Sequence, residues 1–317
     1  MPPRITIVTG FLGSGKTTLL RGLLAAGAGR RVALVVNEIG AVGFDGAALE
    51  RAGASAMIEL TGGCLCCVAG SDLLLAVEDL INMADPDQIV IETTGLAEPG
   101  GLIRQVRAAG LALDAVVTVV AADGLEAALA ASPVALWQIQ AADLLVVSRV
   151  DVADAAQIVA VEAQLRHMNP RATIIPAAHG RIDPQLVFGP RLNPSDPLPM
   201  PEHRDLDGFS SFVWQSDTPI QRSRLTALLA ALPKTIYRVK GLVHCGDAPW
   251  PDALHYVAGR LELSAFRPRA AIRPLNQLVW IGIAAHALQE DLVAQLEACH
   301  ESEGRVAAWM LRYRDLF

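Results

Sequence analysis

A glycine-rich segment near the amino end carries the residues with the clearest chemistry. The run GFLGSGKTT, from Gly10 to Thr18, fills every fixed position of the phosphate-binding pattern G-x-x-x-x-G-K-[ST]. Backbone N–H groups of such a loop wrap a phosphate, its lysine reaches the outer phosphates, and its hydroxyl holds Mg²⁺. We therefore predict that this segment binds a nucleoside triphosphate. Its predicted nucleotide-binding residues are Gly10, Gly13, Ser14, Gly15, Lys16, Thr17 and Thr18, with Lys16 also catalytic and Thr17 a Mg²⁺ ligand.

A second segment, IVIETTG, ends an apolar run with an acid that is closely followed by a glycine. In P-loop proteins an acid at such a strand end lies beside the Mg²⁺, and the glycine N–H can sense the γ-phosphate. An apolar strand followed by Glu is also common without any function. Its distance behind a complete phosphate loop favours the functional interpretation, so Glu92 is predicted as a catalytic residue and Mg²⁺ ligand, and Gly95 as nucleotide-binding.

Three cysteines lie within four residues in the run GGCLCC. Thiolates suit Zn²⁺, Cu⁺ and similar ions, whereas an isolated free cysteine is more often a small core residue. The clustering of three thiols after two glycines, on a predicted loop, favours metal binding over structural burial. The predicted transition-metal ligands are Cys64, Cys66 and Cys67.

The elements that must position these residues alternate between strand and helix. Continuous apolar runs predict strands covered on both faces, and the helical patterns between them predict a mainly parallel sheet flanked by helices. Six prolines between Arg181 and Asp207 then predict a linker, beyond which strands grouped with two helices predict a small α+β domain. The predicted fold is α/β: a P-loop NTPase domain over residues 1–182, a Pro-rich linker over 183–207 and a smaller C-terminal α+β domain over 208–317. The predicted strands are 5–9, 31–37, 88–92, 115–120, 144–147 and 172–175, then 210–215, 234–244, 255–263 and 278–283.

Composition limits the classes of partner and compartment. A net charge of −7 argues against a nucleic-acid partner. No uncharged run reaches the roughly 18 to 20 apolar residues that span a bilayer, so no membrane partner is expected. The amino end lacks the basic and apolar regions of a secretory signal, which predicts a cytoplasmic location and reduced cysteines.

With these motifs in place, the chain resembles the CobW-type GTPases, P-loop metallochaperones and metal-insertion proteins related to the urease and hydrogenase maturation GTPases. The resemblance covers nearly the whole chain and includes a C-x-C-C motif between the phosphate loop and the acidic strand. The runs that carry it are GFLGSGKTT (10–18), VNEIG (36–40), GGCLCC (62–67), IETTGLAEP (91–99), YRVKGLV (237–243) and LVWIGI (278–283).

The resemblance implies a low-turnover GTPase whose cysteine loop carries Zn²⁺, Co²⁺ or a related ion, coupled to the nucleotide state. By the same similarity, Glu38 lies in the switch region, as a third catalytic residue, and Glu92 lies near the Mg²⁺ and the attacking water. The implied partners are GTP or GDP and a client metalloprotein or a cobalamin-pathway protein, and a homodimer is left open.

The chain departs from this pattern at the base-recognition motif. GTPases usually carry N-K-x-D after a buried strand, and the corresponding residues here are Ser148, Arg149, Val150 and Asp151. The Asp carboxylate accepts the guanine ring N–H and amino donors, Ser148 replaces part of the Asn hydrogen bonding, and the Arg149 stem can cover one face of the base. We predict GTP over ATP, with Ser148, Arg149 and Asp151 in the base site.

A second departure concerns the metal. Family members often carry acids that flank the N-E-x-G segment and can join the metal site, whereas this chain has Val36 and Ala41 there. It also lacks a histidine-rich stretch, and its seven histidines are scattered. The pair His244 and Cys245 could add a ligand, but an adjacent pair at a strand end is weak evidence.

Three functions compete at this point. The favoured one is a GTP-driven carrier that delivers a soft transition metal to a client. A GTP-dependent protein-interaction switch with structural cysteines is the alternative from another class. An ATP-using phosphotransferase is the third, and Asp151 together with the lack of a recognisable acceptor-substrate motif counts against it.

Overall fold

The chain folds into two compact units, Met1–Phe188 and Gly189–Phe317. The computed structural model describes residues 3–27, 30–38, 49, 52–61, 70–189, 209–267 and 274–312. The predicted metal ligands Cys64, Cys66 and Cys67 and the side chain of Glu38 lie outside the described residues.

The first unit is built on a seven-stranded sheet in which every neighbouring pair of strands is parallel. Parallel strands end at one common edge of the sheet, so the residues that follow β1, β4 and β6 meet there. The strand order is β3-β2-β4-β1-β5-β6-β7. The strands are β1 (Arg4–Thr9), β2 (Val32–Glu38), β3 (Ala56–Thr61), β4 (Gln88–Glu92), β5 (Leu113–Ala121), β6 (Leu144–Ser148) and β7 (Thr173–Ala177).

Helices cover this sheet because its strands are apolar on both faces. The strands β1, β4, β5 and β6 are buried along almost their whole length, as a doubly covered parallel sheet requires. A helix between β1 and β2 buries four leucines, and two further groups of helices pack on the β1–β4 and the β5–β6 regions. The helices are α1 (Lys16–Ala26), α2 (Gly70–Ala84), α3 (Pro99–Ala108), α4 (Leu125–Ala131), α5 (Pro133–Ala141), α6 (Ala155–Met168) and α7 (Pro184–Phe188).

The last of these helices corrects the start of the predicted linker. Residues 183–207 were expected to form a connection without regular structure, but α7 lies within that range and belongs to the first unit. Its Leu186, Val187 and Phe188 are buried, so Pro184 begins a helix here, as its fixed φ allows at a first helical position. Residues 190–208 lie outside the described part, so the remaining boundaries stay a prediction.

The second unit contains a five-stranded antiparallel sheet, and two of its helices share one hydrophobic core with it. Its core is aromatic and aliphatic: the rings of Phe212 and Trp280 stack with centroids 5.7 Å apart, and both side chains are fully buried. The strand order is β11-β10-β9-β12-β8. The elements are β8 (Phe209–Ser216), α8 (Arg222–Ala230), β9 (Ile236–Val243), β10 (Asp252–Val257), β11 (Arg260–Ala265), β12 (Asn276–Ile283), α9 (Gln289–Glu297) and α10 (Glu303–Arg312).

The predicted fold class, an α/β P-loop unit with a mainly parallel sheet plus a smaller α+β unit, is confirmed. Among the described residues, no helix combines the length and apolar character needed to cross a membrane.

Candidate nucleotide-binding site

The phosphate loop connects β1 to α1 through three glycines with positive φ. Gly10, Gly13 and Gly15 have φ of 144°, 70° and 98°, which side chains rarely adopt. At Gly10 a Cβ would also run into the carbonyl oxygen of Val119 on β5. The loop therefore curls tightly over the sheet edge, and the first turn of α1 directs its N–H groups toward the space in front of the loop.

The charged and hydroxyl groups of the loop lie beside the acid at the end of β4. Lys16 Nζ donates to the carbonyl oxygens of Gly10 and Phe11, at 2.9 and 3.4 Å. Thr17 Oγ1 donates to Glu92 Oε1 at 3.2 Å. A hydroxyl and a carboxylate held together in this way are the hard oxygen ligands that Mg²⁺ takes from a protein alongside phosphate and water. The donor set thus fits Mg²⁺.

The segment after Glu92 packs directly on the phosphate loop. A Cβ at Gly95 would lie 2.7 Å from the backbone nitrogen of Leu12, so only glycine allows this approach. Gln138 on α5 fixes the same segment, because its amide nitrogen donates to the carbonyl oxygens of Gly95 and Ala97 at 3.2 and 3.1 Å. The segment expected to sense the γ-phosphate is therefore held against the loop that would bind it.

Ser148 and Arg149, at the end of β6, bond to the phosphate loop. Ser148 Oγ donates to the carbonyl oxygen of Ser14 at 2.6 Å. Arg149 Nη2 donates to the carbonyl oxygen of Gly13 at 2.7 Å, and Nη1 donates to Asp123 at 3.1 Å. Ser148 and Arg149, which stand in place of the Asn and Lys of N-K-x-D, thus connect the segment predicted to recognise the base to the phosphate loop.

Asp151 lies opposite a histidine that the sequence did not single out. The backbone N–H of His179 donates to Asp151 Oδ1 at 3.1 Å, and His179 Nδ1 lies 3.2 Å from Oδ2. The hydrogen bond from the His179 backbone N–H is the main reason that the pKa of Asp151 is lowered. The lowered pKa keeps this carboxylate ionised. The next residue, Gly180, packs on α1: its Cβ would fall 2.9 Å from Thr18 backbone atoms, and a Cβ at Gly22 would meet the Gly180 carbonyl oxygen.

These groups surround one cavity of about 550 Å³. That volume falls within the roughly 300–1,000 Å³ of ligand sites, and the loop, the oxygen pair and the Asp151 carboxylate fit a nucleoside triphosphate with Mg²⁺. Ser14 is buried behind the loop, and Gly10 does not line the cavity. The predicted residues that line it are Gly13, Gly15, Lys16, Thr17, Thr18, Glu92, Gly95, Ser148, Arg149 and Asp151, joined by the unpredicted Leu12, Thr93, Thr94, His179 and Gly180.

The pair considered as an extra metal ligand lies inside the second unit. Cys245 is fully buried in its core, and burial raises the pKa of the Cys245 thiol to about 12. His244 Nδ1 lies 3.2 Å from the Leu275 carbonyl oxygen, and its ring meets Trp309 edge-on. Both side chains are therefore core residues. Within the described ranges, no group of three His, Cys, Asp or Glu side chains could hold a metal ion.

The fold and this site define a P-loop nucleotide-binding protein. The model of the CobW/HypB/UreG nucleotide-binding domain matches residues 4–176, and that of the cobalamin synthesis protein cobW C-terminal domain matches residues 209–300. The chain therefore belongs to the CobW/HypB/UreG family, and the predicted resemblance is confirmed.

Two curated relatives and one solved structure illustrate the match. The zinc chaperone CobW of Sinorhizobium sp is 30% identical over 305 residues, which cover 81% of this chain and 86% of the relative. The zinc chaperone YjiA of Escherichia coli (strain K12) is 30% identical over 304 residues, which cover 89% of this chain and 94% of the relative. The crystal structure of Zn(II)-bound YjiA GTPase from E. coli has 23% identity and a TM-score of 0.47, covering 95% of this chain and 100% of that chain.

Proposed function

We propose that this GTPase of the CobW/HypB/UreG family is a metallochaperone: it carries a soft transition metal, Zn²⁺ or Co²⁺, on Cys64, Cys66 and Cys67 and delivers it to a client protein or cofactor pathway. Relatives that bear the name zinc chaperone support the metal half of this proposal. The nucleotide half is supported by the single cavity that joins the phosphate loop, Glu92 and Asp151.

The observation that carries the proposal is the register of the strands beside the cysteine segment. Thr61, the last residue of β3, pairs with Glu38 at the end of β2, and Val36 two residues earlier pairs with Glu92. With strands about 4.8 Å apart and about 3.4 Å per residue, the Thr61 backbone lies about 12 Å from that of Glu92. The cysteine motif begins three residues after Thr61. The end of β3, from which the chain continues to the cysteine motif, therefore lies near the end of β4 at this edge of the sheet.

In the proposed reaction, GTP occupies the cavity with its phosphates on the loop and its base at Asp151. Lys16 leaves the carbonyl oxygens of Gly10 and Phe11 to meet the outer phosphates, and Glu92 orients the attacking water. Thr17 and Glu92 would hold Mg²⁺, which neutralises phosphate charge when bound. Loss of the γ-phosphate removes the partner of the Gly95 N–H and relaxes the segments that follow β2 and β4.

Three thiolates supply at most three protein ligands, so a tetrahedral ion needs a fourth donor from water, a mobile residue or the client. An open position suits transfer, because an incoming ligand can attack before the ion leaves. Binding deprotonates the thiols, so metal affinity rises with pH and protons are released.

The test is a titration of Zn²⁺ and of Co²⁺ into wild type and Cys66→Ala, once with GDP and once with a non-hydrolysable GTP analogue. Cys299→Ala is the matched control, because Cys299 is a buried core thiol of the second unit. We expect Cys66→Ala to lose affinity for the metal and Cys299→Ala to retain it. The metal affinities with GDP and with the GTP analogue should differ about tenfold if the coupling free energy is about 1.4 kcal/mol.

Each contrary result removes a defined part of the proposal. Equal affinities of wild type and Cys66→Ala would end the metal-carrier function and leave a GTP-dependent interaction switch. Equal affinities in the two nucleotide states would leave a metal site without the switch.

A further inference from the structure

The Asp151 carboxylate must present both of its oxygens to guanine at once, one to the ring N–H and one to the 2-amino group. The terminal torsion of an Asp side chain is soft, so an unrestrained carboxylate samples many orientations. In the described residues, the side chain that approaches this carboxylate is that of His179, which lies across the sheet edge from it.

His179 contacts Asp151 at two points. Its backbone N–H bonds to Oδ1 at 3.1 Å, and its Nδ1 lies 3.2 Å from Oδ2. A carboxylate oxygen has two acceptor sites, so one site on each oxygen remains for the base. Two contacts from one residue fix the plane of the carboxylate, which one contact would not do.

His179 is itself held in place by backbone geometry. Its φ of 52° and ψ of 27° lie in the left-handed region, which is uncommon for a residue with a side chain. Gly180 follows it and packs on the Thr18 backbone, so the His179 N–H has little room to shift. The side chain is 70% exposed and lines the nucleotide cavity, which argues against a packing role.

We propose that His179 is a positioning residue for guanine recognition: its two contacts orient the Asp151 carboxylate toward the base. The inference rests on the proposed GTP specificity of the cavity. Ser148 Oγ is directed at the carbonyl oxygens of Ser14 and Val120, so His179 and not Ser148 is the side chain placed to order Asp151.

The test compares the affinities of GDP, IDP and ADP for wild type, His179→Ala, His179→Asn and Asp151→Ala. IDP lacks the 2-amino group, so the GDP-to-IDP affinity ratio reports whether the carboxylate meets that group. Wild type should favour GDP over IDP by about 10- to 100-fold, as one hydrogen bond to a charged group predicts. In His179→Ala the ratio should fall by about 2- to 12-fold, the cost of ordering one side chain on binding.

Asparagine should restore the ratio, because its amide nitrogen sits at the same place along the side chain as Nδ1 and it tolerates a positive φ. The GDP-to-ADP ratio should fall in the same order as the GDP-to-IDP ratio, since the phosphate loop that all three nucleotides share is intact in every variant. A GDP-to-IDP ratio in His179→Ala equal to that of wild type, or an Asn variant that behaves like Ala, would overturn the proposal. A ratio that Asp151→Ala leaves unchanged would instead refute guanine recognition by Asp151, and with it this part of the proposed function.

Discussion

The contact between Gly95 and Leu12 gives the sharpest test of the site. A Cβ at Gly95 would lie 2.7 Å from Leu12 N and 2.8 Å from Leu12 Cα. Both are backbone atoms of the phosphate loop, so no side-chain rotation relieves the overlap in Gly95→Ala. Overpacking of this kind costs about 1–3 kcal/mol, which corresponds to about 5- to 150-fold in an equilibrium or rate constant.

Because the Gly95 segment is already held against the phosphate loop, Gly95→Ala displaces it from the loop, and we expect the loss to be largest with triphosphate, whose γ-phosphate the Gly95 N–H is proposed to meet. The kcat/KM for GTP hydrolysis should fall about 5- to 150-fold, measured by phosphate release. GDP affinity should change by about twofold or less, because GDP lacks the γ-phosphate that the Gly95 N–H is proposed to meet.

Gly304→Ala is the matched control, because a Cβ at Gly304 meets no atom within 4 Å and its position is in helix α10. Alanine is favoured over glycine in a helix by about 1 kcal/mol, so this variant should keep full activity and stability. If Gly95→Ala hydrolyses GTP at the wild-type rate, the position of the Gly95 segment on the loop does not affect hydrolysis and the switch argument is wrong.

Three further outcomes are expected. Lys16→Ala should abolish hydrolysis and weaken triphosphate binding while circular dichroism reports an intact fold. The reason is that Lys16 is a charged residue that lines the cavity and not a core residue. Wild-type turnover would contradict the P-loop assignment. Trp280→Ala should lower the free energy of unfolding by about 3–5 kcal/mol in urea titrations, because it leaves a cavity at a fully buried position of the second unit. A loss below about 1 kcal/mol would mean that the surrounding core closes that cavity. Burial raises the pKa of the Cys245 thiol to about 12 in the folded state. The unfolded chain therefore loses the thiol proton at lower pH than the folded chain does, and the free energy of unfolding should fall as pH rises above about 9. The fall should be shallower in Cys245→Ala when unfolding is compared at pH 8 and pH 10.5, and equal slopes would exclude this thiol as the cause.

The elements that the sequence predicted well are those whose environment leaves a simple pattern. Gln88–Glu92 is buried on both faces and reads as an uninterrupted apolar run, so its bounds were predicted correctly. Strand Ala56–Thr61 was missed, because it lies at the sheet edge and its described residues are only half-buried. Residues 255–263 were predicted as one strand but form parts of β10 and β11, which a tight turn joins at Ala258 and Gly259 with φ of 47° and 88°. Alanine seldom takes a positive φ, so the residue type gave no turn signal.

The site was predictable where one continuous segment forms it and not where two segments meet. The phosphate loop has its chemistry in nine consecutive residues, whereas Asp151 and His179 are 28 residues apart. They approach each other because β6 and β7 are adjacent parallel strands, with Ser148 paired with Ala177. Strand adjacency depends on packing across the whole unit, so a lone histidine after a strand looked ordinary in the sequence.

The close approach of Gly22 and Gly180 has a consequence for how this sequence can change. Glycine inside a helix costs about 1 kcal/mol relative to alanine, and Gly22 lies in the middle of α1. At either position a side chain would push α1 and the loop after β7 apart, since each glycine packs on backbone atoms of the other element. In a saturation mutagenesis library, both positions should therefore reject every substitution, although Gly22 does not line the nucleotide cavity. A designer who replaces Gly22 to improve the helix would separate the loop that carries His179 and Gly180 from the helix that carries Lys16 and Thr17.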